Sequence, residues 1–213
     1  QKNSPLTTHH SPFFITFAAQ NMLELHDVII KPLRHTLSLT VDDGRMACLS
    51  GPKGTGKTTV LRAVMGLLPI DGGHISIDGE LLTPLSAPYF RRNMGYVPSL
   101  LRPIPGQDRV GDVLRLLYGL QANRQLNIEH EDVEDRLWDD LTPAEQYLEL
   151  VKCVSRQERR LVLVDEPAAP LDWQIQQAVM DVMRQMTARG AALLVVSNEP
   201  TVMSLTNNVI SLL

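Results

Sequence analysis

The ten residues from Ser50 to Thr59, which read SGPKGTGKTT, constrain what the chain can fold into more than any other stretch. A glycine, four further residues and then Gly-Lys-Thr is the spacing of a phosphate-binding P-loop. A phosphate chain needs several converging N–H donors and little side-chain bulk, and the three glycines allow the backbone to wrap around such an anion. Lys57 would add positive charge at the terminal phosphates, and the Thr58 hydroxyl can bind Mg²⁺. The predicted phosphate site consists of consecutive residues: Gly51, Pro52, Lys53, Gly54, Thr55, Gly56, Lys57, Thr58 and Thr59.

The flanks of this loop have the order that the motif requires. The apolar run 45–49 before it is typical of a buried strand. After it, apolar residues recur on a helical period over 59–68 and predict a helix that Pro69 stops. A chance glycine-rich turn would not need a strand before it and a helix after it, so this alternative is disfavoured.

A second chemical landmark is an apolar run, 161–164, that ends in two carboxylates, Asp165 and Glu166. This pattern is typical of a buried parallel strand whose acids emerge at its carboxyl end, where α/β sheets bind ligands. Asp165 is expected to join Thr58 in holding Mg²⁺, and Glu166 to polarise or orient an attacking water as the catalytic residue. Alternatively, Asp-Glu-Pro could simply end a strand, but the P-loop upstream favours the chemical interpretation.

The bulk properties restrict the class of protein and its partners. With 213 residues, the chain suffices for one compact domain, and its 44% hydrophobic and 21% charged content is ordinary for a soluble globular protein. The net charge of −4 gives no global basic field, so we expect no nucleic-acid partner. Cys48 and Cys153 are expected to be buried thiols in a reducing cytoplasm. Residues 1–21 are predicted to be a tag, a linker or a disordered extension, and residues 22–213 to be the folded domain.

Further strands and helices alternate along the chain and predict an α/β fold with a mainly parallel sheet flanked by helices. The acidic segment 128–140 is expected to be the solvated face of a helix, with a recognition surface as the less favoured alternative. Strands are predicted at 23–30, 36–41, 74–78, 94–98, 191–197 and 208–213, and helices at 110–120 and 172–189.

From about residue 23 to the end, the chain resembles the ATP-binding subunits of ABC transporters. The resemblance implies an antiparallel β subdomain at the N-terminus and a small helical subdomain at about 100–155. It also implies ATP and Mg²⁺ as cofactors, and dimerisation as a homodimer or heterodimer. The partner implied is a separate transmembrane permease, to which the subunit would bind at the cytoplasmic face of the inner membrane. The landmarks that carry it, in order, are Gly51–Thr59, Asp71–Gly73, Gly95–Pro98, Asp165–Pro167 and Leu171–Asp172.

Three positions depart from the family's pattern. Ser99 replaces a glutamine that contacts Mg²⁺, and is expected to bind the ion through a bridging water. The tract Leu141–Glu145 replaces a glycine-rich signature loop, and Glu145 adds negative charge there. Asn198 replaces a switch histidine at the nucleotide, and is expected to hydrogen-bond a phosphate through its amide. There is also no Phe, Tyr or Trp between Leu23 and Val41, where the family stacks the adenine ring. Losing groups that position the reactants should reduce rate more than affinity, so we expect ATP·Mg²⁺ binding with slow or partner-dependent hydrolysis.

Three functions are compatible with these observations to different degrees. The first is an ATPase subunit that drives a separate permease. The second is a regulatory protein that uses ATP-dependent dimerisation as a switch, with little hydrolysis and no role in transport. A small-molecule kinase is the least favoured, because it would not explain why Leu171–Asp172 follows Asp165–Pro167.

Overall fold

The computed structural model describes residues 21–31, 33, 35–99, 109–118, 135–167, 172–206 and 208–212. Within these ranges, strands form two sheets and helices cover them. The strands are β1 Leu23–Ile29, β2 Leu37–Val41, β3 Met46–Ser50, β4 Gly72–Ile77, β5 Glu80–Leu81, β6 Met94–Val97, β7 Leu161–Asp165, β8 Ala192–Val196 and β9 Asn208–Ser211. The helices are α1 Lys57–Val64, α2 Ala87–Asn93, α3 Val110–Tyr118, α4 Pro143–Arg156, α5 Trp173–Ala188 and α6 Pro200–Met203.

The larger sheet has five strands in the order β6-β7-β8-β3-β9, and every neighbouring pair is parallel. The three central strands are buried at every position. This burial explains why their sequences are nearly continuous apolar runs rather than alternating patterns. Because the strands are parallel, the loops that follow β3, β7 and β8 leave the sheet at the same edge.

The smaller sheet has four antiparallel strands in the order β2-β1-β4-β5. In β2 the residues Leu37, Leu39 and Val41 are buried and alternate with exposed ones, as expected for a sheet with one face in the core. The predicted α/β fold with a parallel sheet and an N-terminal antiparallel sheet is therefore confirmed.

Two apolar clusters lie on opposite faces of the parallel sheet. One joins β1, β2 and β4 of the antiparallel sheet and helix α1 to one face of the parallel strands, where Leu49, Leu163 and Leu194 point. The other joins α3, α4 and α5 to the opposite face, where Val162 and Val195 point. The described residues thus form three layers: the antiparallel sheet together with α1, the parallel sheet, and the helices α3, α4 and α5. Cys48 and Cys153 are buried and are not joined in a disulfide, and burial raises the pKa of Cys48 to about 11.

Helix α1 differs from its predicted bounds. It begins two residues before Thr59 and ends at Val64 instead of running to Leu68. Gly66 adopts a left-handed φ of 63°, its N–H donates to the carbonyl of Ala63 and the N–H of Leu67 donates to that of Arg62. This is a Schellman ending, so a glycine stops the helix before Pro69 can do so.

The acidic segment also departs from its prediction where it is described. Leu137 forms an isolated antiparallel bridge with Arg109, and Trp138–Asp140 is a 3₁₀ turn. Trp138 is buried in the second cluster, so this part is not the solvated face of a helix. Residues 128–134, like the N-terminal extension through residue 20, lie outside the described residues. Among the helices of the described ranges, none combines the length and apolar character needed to cross a bilayer.

Candidate functional site

The predicted site residues lie at the carboxyl edge of the parallel sheet. Strand β3 leads directly into the P-loop, β7 ends at Asp165 with Glu166 next, and Asn198 follows β8 by two residues. These three strands are neighbours, so the loops that follow them meet in space. This edge is where α/β sheets bind their ligands.

The P-loop is held by its own lysine and by the chain that follows β9. Lys57 is buried, and its Nζ donates to the carbonyl oxygens of Gly51 at 2.6 Å and Pro52 at 3.2 Å. A Cβ at position 51 would lie 2.3 Å from the carbonyl oxygen of Leu212, so only glycine fits there. The hydroxyl of Thr55 donates to the Pro52 carbonyl at 2.9 Å. The lysine charge is therefore already inside the loop that would surround an anion.

Two of the three residues predicted to hold Mg²⁺, Thr58 and Asp165, contact each other. The Thr58 hydroxyl lies 3.1 Å from Oδ2 and 3.3 Å from Oδ1 of Asp165. Burial raises the pKa of Asp165, while the hydrogen bond from Thr58, the charges of Lys57 and Arg62 and a hydrogen bond from Ser99 lower it. A buried carboxylate with hydroxyl neighbours is an oxygen ligand set that suits Mg²⁺, whose charge would offset the cost of burying the anion. The residues present fit this ion.

Glu166 lies beside the lysine at the end of β7. Its Oε1 is 3.9 Å from the Nζ of Lys57, and its side chain is 32% exposed. The backbone has a left-handed φ of 52°, which costs a non-glycine residue about 1–2 kcal/mol and persists only where the surroundings impose it. Here the Glu166 N–H donates to the carbonyl of Val196 on the neighbouring strand at 2.8 Å. A partly exposed carboxylate at this place can bind a water next to a phosphate held by the loop.

Asn198 contacts the first residue of the P-loop directly. Its Oδ1 accepts a hydrogen bond from the N–H of Gly51 at 2.8 Å. The turn that carries it is fixed by the Ser197 hydroxyl, which accepts from the N–H of Glu199 at 3.1 Å. The remaining amide group of Asn198 lies at an exposed position.

Comparison with known proteins identifies the family. A family model described as ABC transporter matches residues 34–169, which is more than half of the chain. The chain belongs to the ABC transporter family. The ATP-binding domains of this family are ATPases, and coupling to a permease is their general role.

Three relatives are named as ATP-binding proteins, one of an import system and one of an export system. An uncharacterized ABC transporter ATP-binding protein of Haemophilus influenzae is 30% identical over 80% of this chain and 70% of its own. The zinc import ATP-binding protein ZnuC of Pseudomonas fluorescens is 30% identical over 93% of this chain and 70% of its own. The lipopolysaccharide export protein LptB of Escherichia coli is 33% identical over 64% of this chain and 61% of its own.

Solved structures confirm the ABC fold. An ATP-binding subunit of an ABC transporter superposes with a TM-score of 0.73 at 23% identity, covering 90% of this chain and 85% of that one. A dimeric ATP-binding cassette in a post-hydrolysis state, bound to ADP and Pi, superposes with a TM-score of 0.70 at 19% identity, covering 90% and 94%.

A pocket of about 700 Å³ adjoins the P-loop of this ABC domain. Lys53, Gly54 and Thr55 form one side, and Leu33, His35 and Thr36, just before β2, form another. His35 was not predicted to line this site, because an adenine partner was expected only among Phe, Tyr and Trp, although an imidazole ring can also stack on a base. Its position just before β2, in the stretch where the ABC family stacks the base, was the available signal.

The tract Leu141–Glu145, predicted to stand in place of the ABC signature loop, forms hydrogen bonds within itself. Thr142 is the N-cap of α4, and its hydroxyl accepts from the N–H of Glu145 at 3.2 Å. In return, Oε2 of Glu145 accepts from the N–H of Thr142 at 2.7 Å and from its hydroxyl at 2.8 Å. These bonds lower the pKa of Glu145. The negative charge predicted here is therefore bound to the helix's own first turn. Of the tract 169–172, which resembles the family's D-loop, residues 169–171 lie outside the described residues, and Asp172 is the N-cap of α5.

Proposed function

We propose that this ABC subunit binds ATP·Mg²⁺ in the P-loop site, hydrolyses it slowly, and thereby drives a separate transmembrane permease from the cytoplasmic face of the inner membrane. The observation that carries the proposal is the contact between Thr58 and Asp165, 3.1 Å apart, with Lys57 and Glu166 beside it. These residues come from distant parts of the chain and have no common structural purpose apart from a charged ligand.

The phosphate chain would lie against the backbone of 51–59. Lys57 would exchange its bonds to two carbonyl oxygens for bonds to phosphate oxygens, which are stronger because both partners are charged. Thr58, Asp165 and Ser99 would hold Mg²⁺, which supplies charge neutralisation at the phosphates. The base would occupy the pocket beside His35.

Glu166 would orient or polarise the water that attacks the terminal phosphate. Slow turnover is expected for three reasons. Ser99 is shorter than the glutamine it replaces and needs a bridging water to reach as far. The amide of Asn198 can hydrogen-bond but cannot take up a proton. The third reason is the Thr142–Glu145 closure, which occupies the N–H and hydroxyl of Thr142 and the N–H of Glu145, so that these donors do not face a second subunit's nucleotide.

This closure also bears on the partner. In an ABC dimer, the signature loop of one subunit completes the site of the other, so the P-loop site of this chain is best completed by a different chain with an intact signature loop. We therefore favour a heterodimer over a homodimer. The net charge of −4 supports the expectation of no nucleic-acid partner.

A pull-down from solubilised membranes tests the proposal. Tagged wild type, Lys57→Ala and the control Lys31→Ala, which changes an exposed lysine away from the loop, are compared with and without ATP. We expect a polytopic membrane protein to be retained by all three, and ATP to change the retained amount for wild type and Lys31→Ala alone. Retention of no membrane protein would contradict the transport role.

The second candidate is a regulatory ABC protein that dimerises on ATP without a permease. The self-closed tract at the start of α4 favours it, because such a tract fits poorly with rapid hydrolysis. If ATP converts the pure chain to a dimer while no membrane protein is retained, this second function is the correct one.

A further inference from the structure

Gly51 is held from three sides by residues far apart in the sequence. Its N–H donates to Oδ1 of Asn198 at 2.8 Å, and its carbonyl accepts from Lys57 at 2.6 Å. Its Cα faces the carbonyl of Leu212, leaving no room for a Cβ. Leu212 is itself tied to the P-loop strand, since its N–H donates to the carbonyl of Ser50 at 2.7 Å. The point where β3 turns into the P-loop is therefore fixed by the ends of both neighbouring strands.

The Lys57 contact depends on an ammonium group that a bound phosphate chain would also use. Leu212 provides contact but no hydrogen bond to Gly51. The contact to Asn198 is made through an amide oxygen, which a phosphate cannot bond because both are acceptors, and it sets the direction of the Gly51 peptide, from which the loop begins.

We infer that Asn198 is a positioning residue of the phosphate site, which acts through Gly51 and not by recognising the terminal phosphate. The inference rests on the proposed nucleotide site and changes the role expected of Asn198 within it. A residue that holds the loop affects every nucleotide with phosphates in that loop. A residue that contacts the terminal phosphate affects ATP but not ADP.

The amide of Asn198 suits a hydrogen bond to Gly51 that does not depend on pH. Asn198 accepts with an oxygen that does not titrate, so its bond to Gly51 is the same across the physiological pH range. A histidine could accept the Gly51 N–H only through a neutral ring nitrogen and would lose that bond on protonation, near pH 6.5.

The first test compares affinities for ATP and ADP by calorimetry, with EDTA present so that the magnesium ligands take no part. The variants are Asn198→Ala and the matched control Asn208→Ala, which removes another exposed asparagine whose side chain bonds one backbone carbonyl, that of Thr40. We expect Asn198→Ala to weaken ATP and ADP by the same factor, about three- to tenfold, and the control to weaken neither. A loss confined to ATP, or no loss, would overturn the inference.

The second test uses Asn198→His between pH 8 and pH 6. Relative to wild type at each pH, we expect its affinity for ADP to fall severalfold as pH decreases, because the imidazolium cannot accept from Gly51. Direct contact with phosphate predicts the opposite sign, since the added positive charge would strengthen binding, and an increase or a flat profile overturns the inference. Lys57, Glu166 and Glu199 are charged groups at or near this turn and are unchanged in the variant, so the ratio to wild type cancels their titration and that of the nucleotide.

The failure of this inference is distinguishable from failure of the proposed function. Wild type that binds neither nucleotide would remove both. If wild type binds nucleotide but either variant gives the contradicting result of its own test, only the role assigned to Asn198 fails. Melting temperatures of the variants show whether each is folded.

Discussion

Asp165 is 1% exposed, yet it is an acid, and its burial raises its pKa. A buried carboxylate without a full positive partner costs free energy that the fold must offset elsewhere. Thr58 and the neighbouring cations offset part of this cost. We therefore expect Asp165 to favour cation binding while lowering the stability of the ligand-free protein, and both effects can be measured.

We predict that Asp165→Asn stabilises the ligand-free protein by about 1 kcal/mol at pH 8, or about 2–4 °C in melting temperature. A group whose pKa is raised in the folded state contributes stability that is present below its unfolded pKa and is lost as pH rises through its folded pKa. The gain from removing the charge should therefore be smaller at pH 5 than at pH 8. Chemical denaturation at both pH values measures this, and a gain that is larger at pH 5 would contradict the assignment. The variant should also lose magnesium-dependent enhancement of ATP binding.

Glu166→Gln keeps the shape of the side chain but removes the carboxylate that would act on the attacking water. We predict that phosphate release, already slow in wild type, falls at least about a hundredfold, while ATP affinity changes less than about threefold. The matched control is Glu158→Gln, since Glu158 is also a glutamate with a left-handed φ, of 50°, but precedes β7 at the opposite end of the strand. Equal phosphate release by both variants would remove Glu166 from the reaction.

At this scale, motifs identified the residue types of the site, and the structure supplied the contacts among them. Fixed spacing predicted Lys57 and Thr58, and an acid pair after an apolar run predicted Asp165. The bond between Asn198 and Gly51 could not be predicted, because it joins residues 147 positions apart and depends on the order of the strands. The closure of Glu145 onto Thr142 was readable as a capping box, Thr-x-x-Glu, but the tract was compared only with the signature loop.

Among the elements, the three buried central strands were predicted well, the strand expected to be buried at 208–213 is a mostly exposed edge strand, and two short helices were not predicted. Parallel strands in the core need continuous apolar residues, so β3, β7 and β8 stand out in the sequence. Helices α2 and α6 have seven and four residues, too few for a helical period to be seen. Both begin with a proline in the first turn, and that was the one local signal available.

The start of α4 allows a prediction at the scale of an element. Thr142→Ala removes the N-cap of a 14-residue helix that packs in the second apolar cluster, and we expect it to lower the free energy of unfolding by about 1 kcal/mol. Thr187→Ala is the control, because its hydroxyl bonds to the Arg184 carbonyl within the last turn of α5 and caps no helix start. We expect the control to change stability by less than about 0.5 kcal/mol. Urea denaturation compares the two, and equal effects would show that the capping box does not hold the helix.

At the scale of the whole molecule, the two sheets share one apolar cluster but belong to different parts of the site. The parallel sheet carries the P-loop and the acids, and the segment before β2 of the antiparallel sheet borders the pocket proposed for the base. Both parts must keep their relative position for one nucleotide to contact both. Arg160, just before β7, bonds to Asp43 in the turn after β2 and to Asp78 in the turn after β4, each at 2.8 Å. It thus ties the parallel sheet to two turns of the antiparallel sheet at the end away from the nucleotide.

We predict that Arg160→Ala lowers the free energy of unfolding by about 0.5–1 kcal/mol in low salt, because it breaks two exposed ion pairs that share one guanidinium. The side chain is 57% exposed, so solvent screens these pairs and the loss should shrink at 1 M NaCl. Arg184→Ala is the control: it breaks an ion pair of similar exposure, with Asp181, inside a single helix, and should lower the free energy of unfolding by about 0.3 kcal/mol.

If the ion pairs of Arg160 also keep the two sheets in position, Arg160→Ala should lower the affinity for ATP more than the affinity for inorganic triphosphate, since only ATP has a base for the pocket. Equal stability losses for the two arginine variants, with no dependence on salt, would show that the apolar cluster alone joins the sheets.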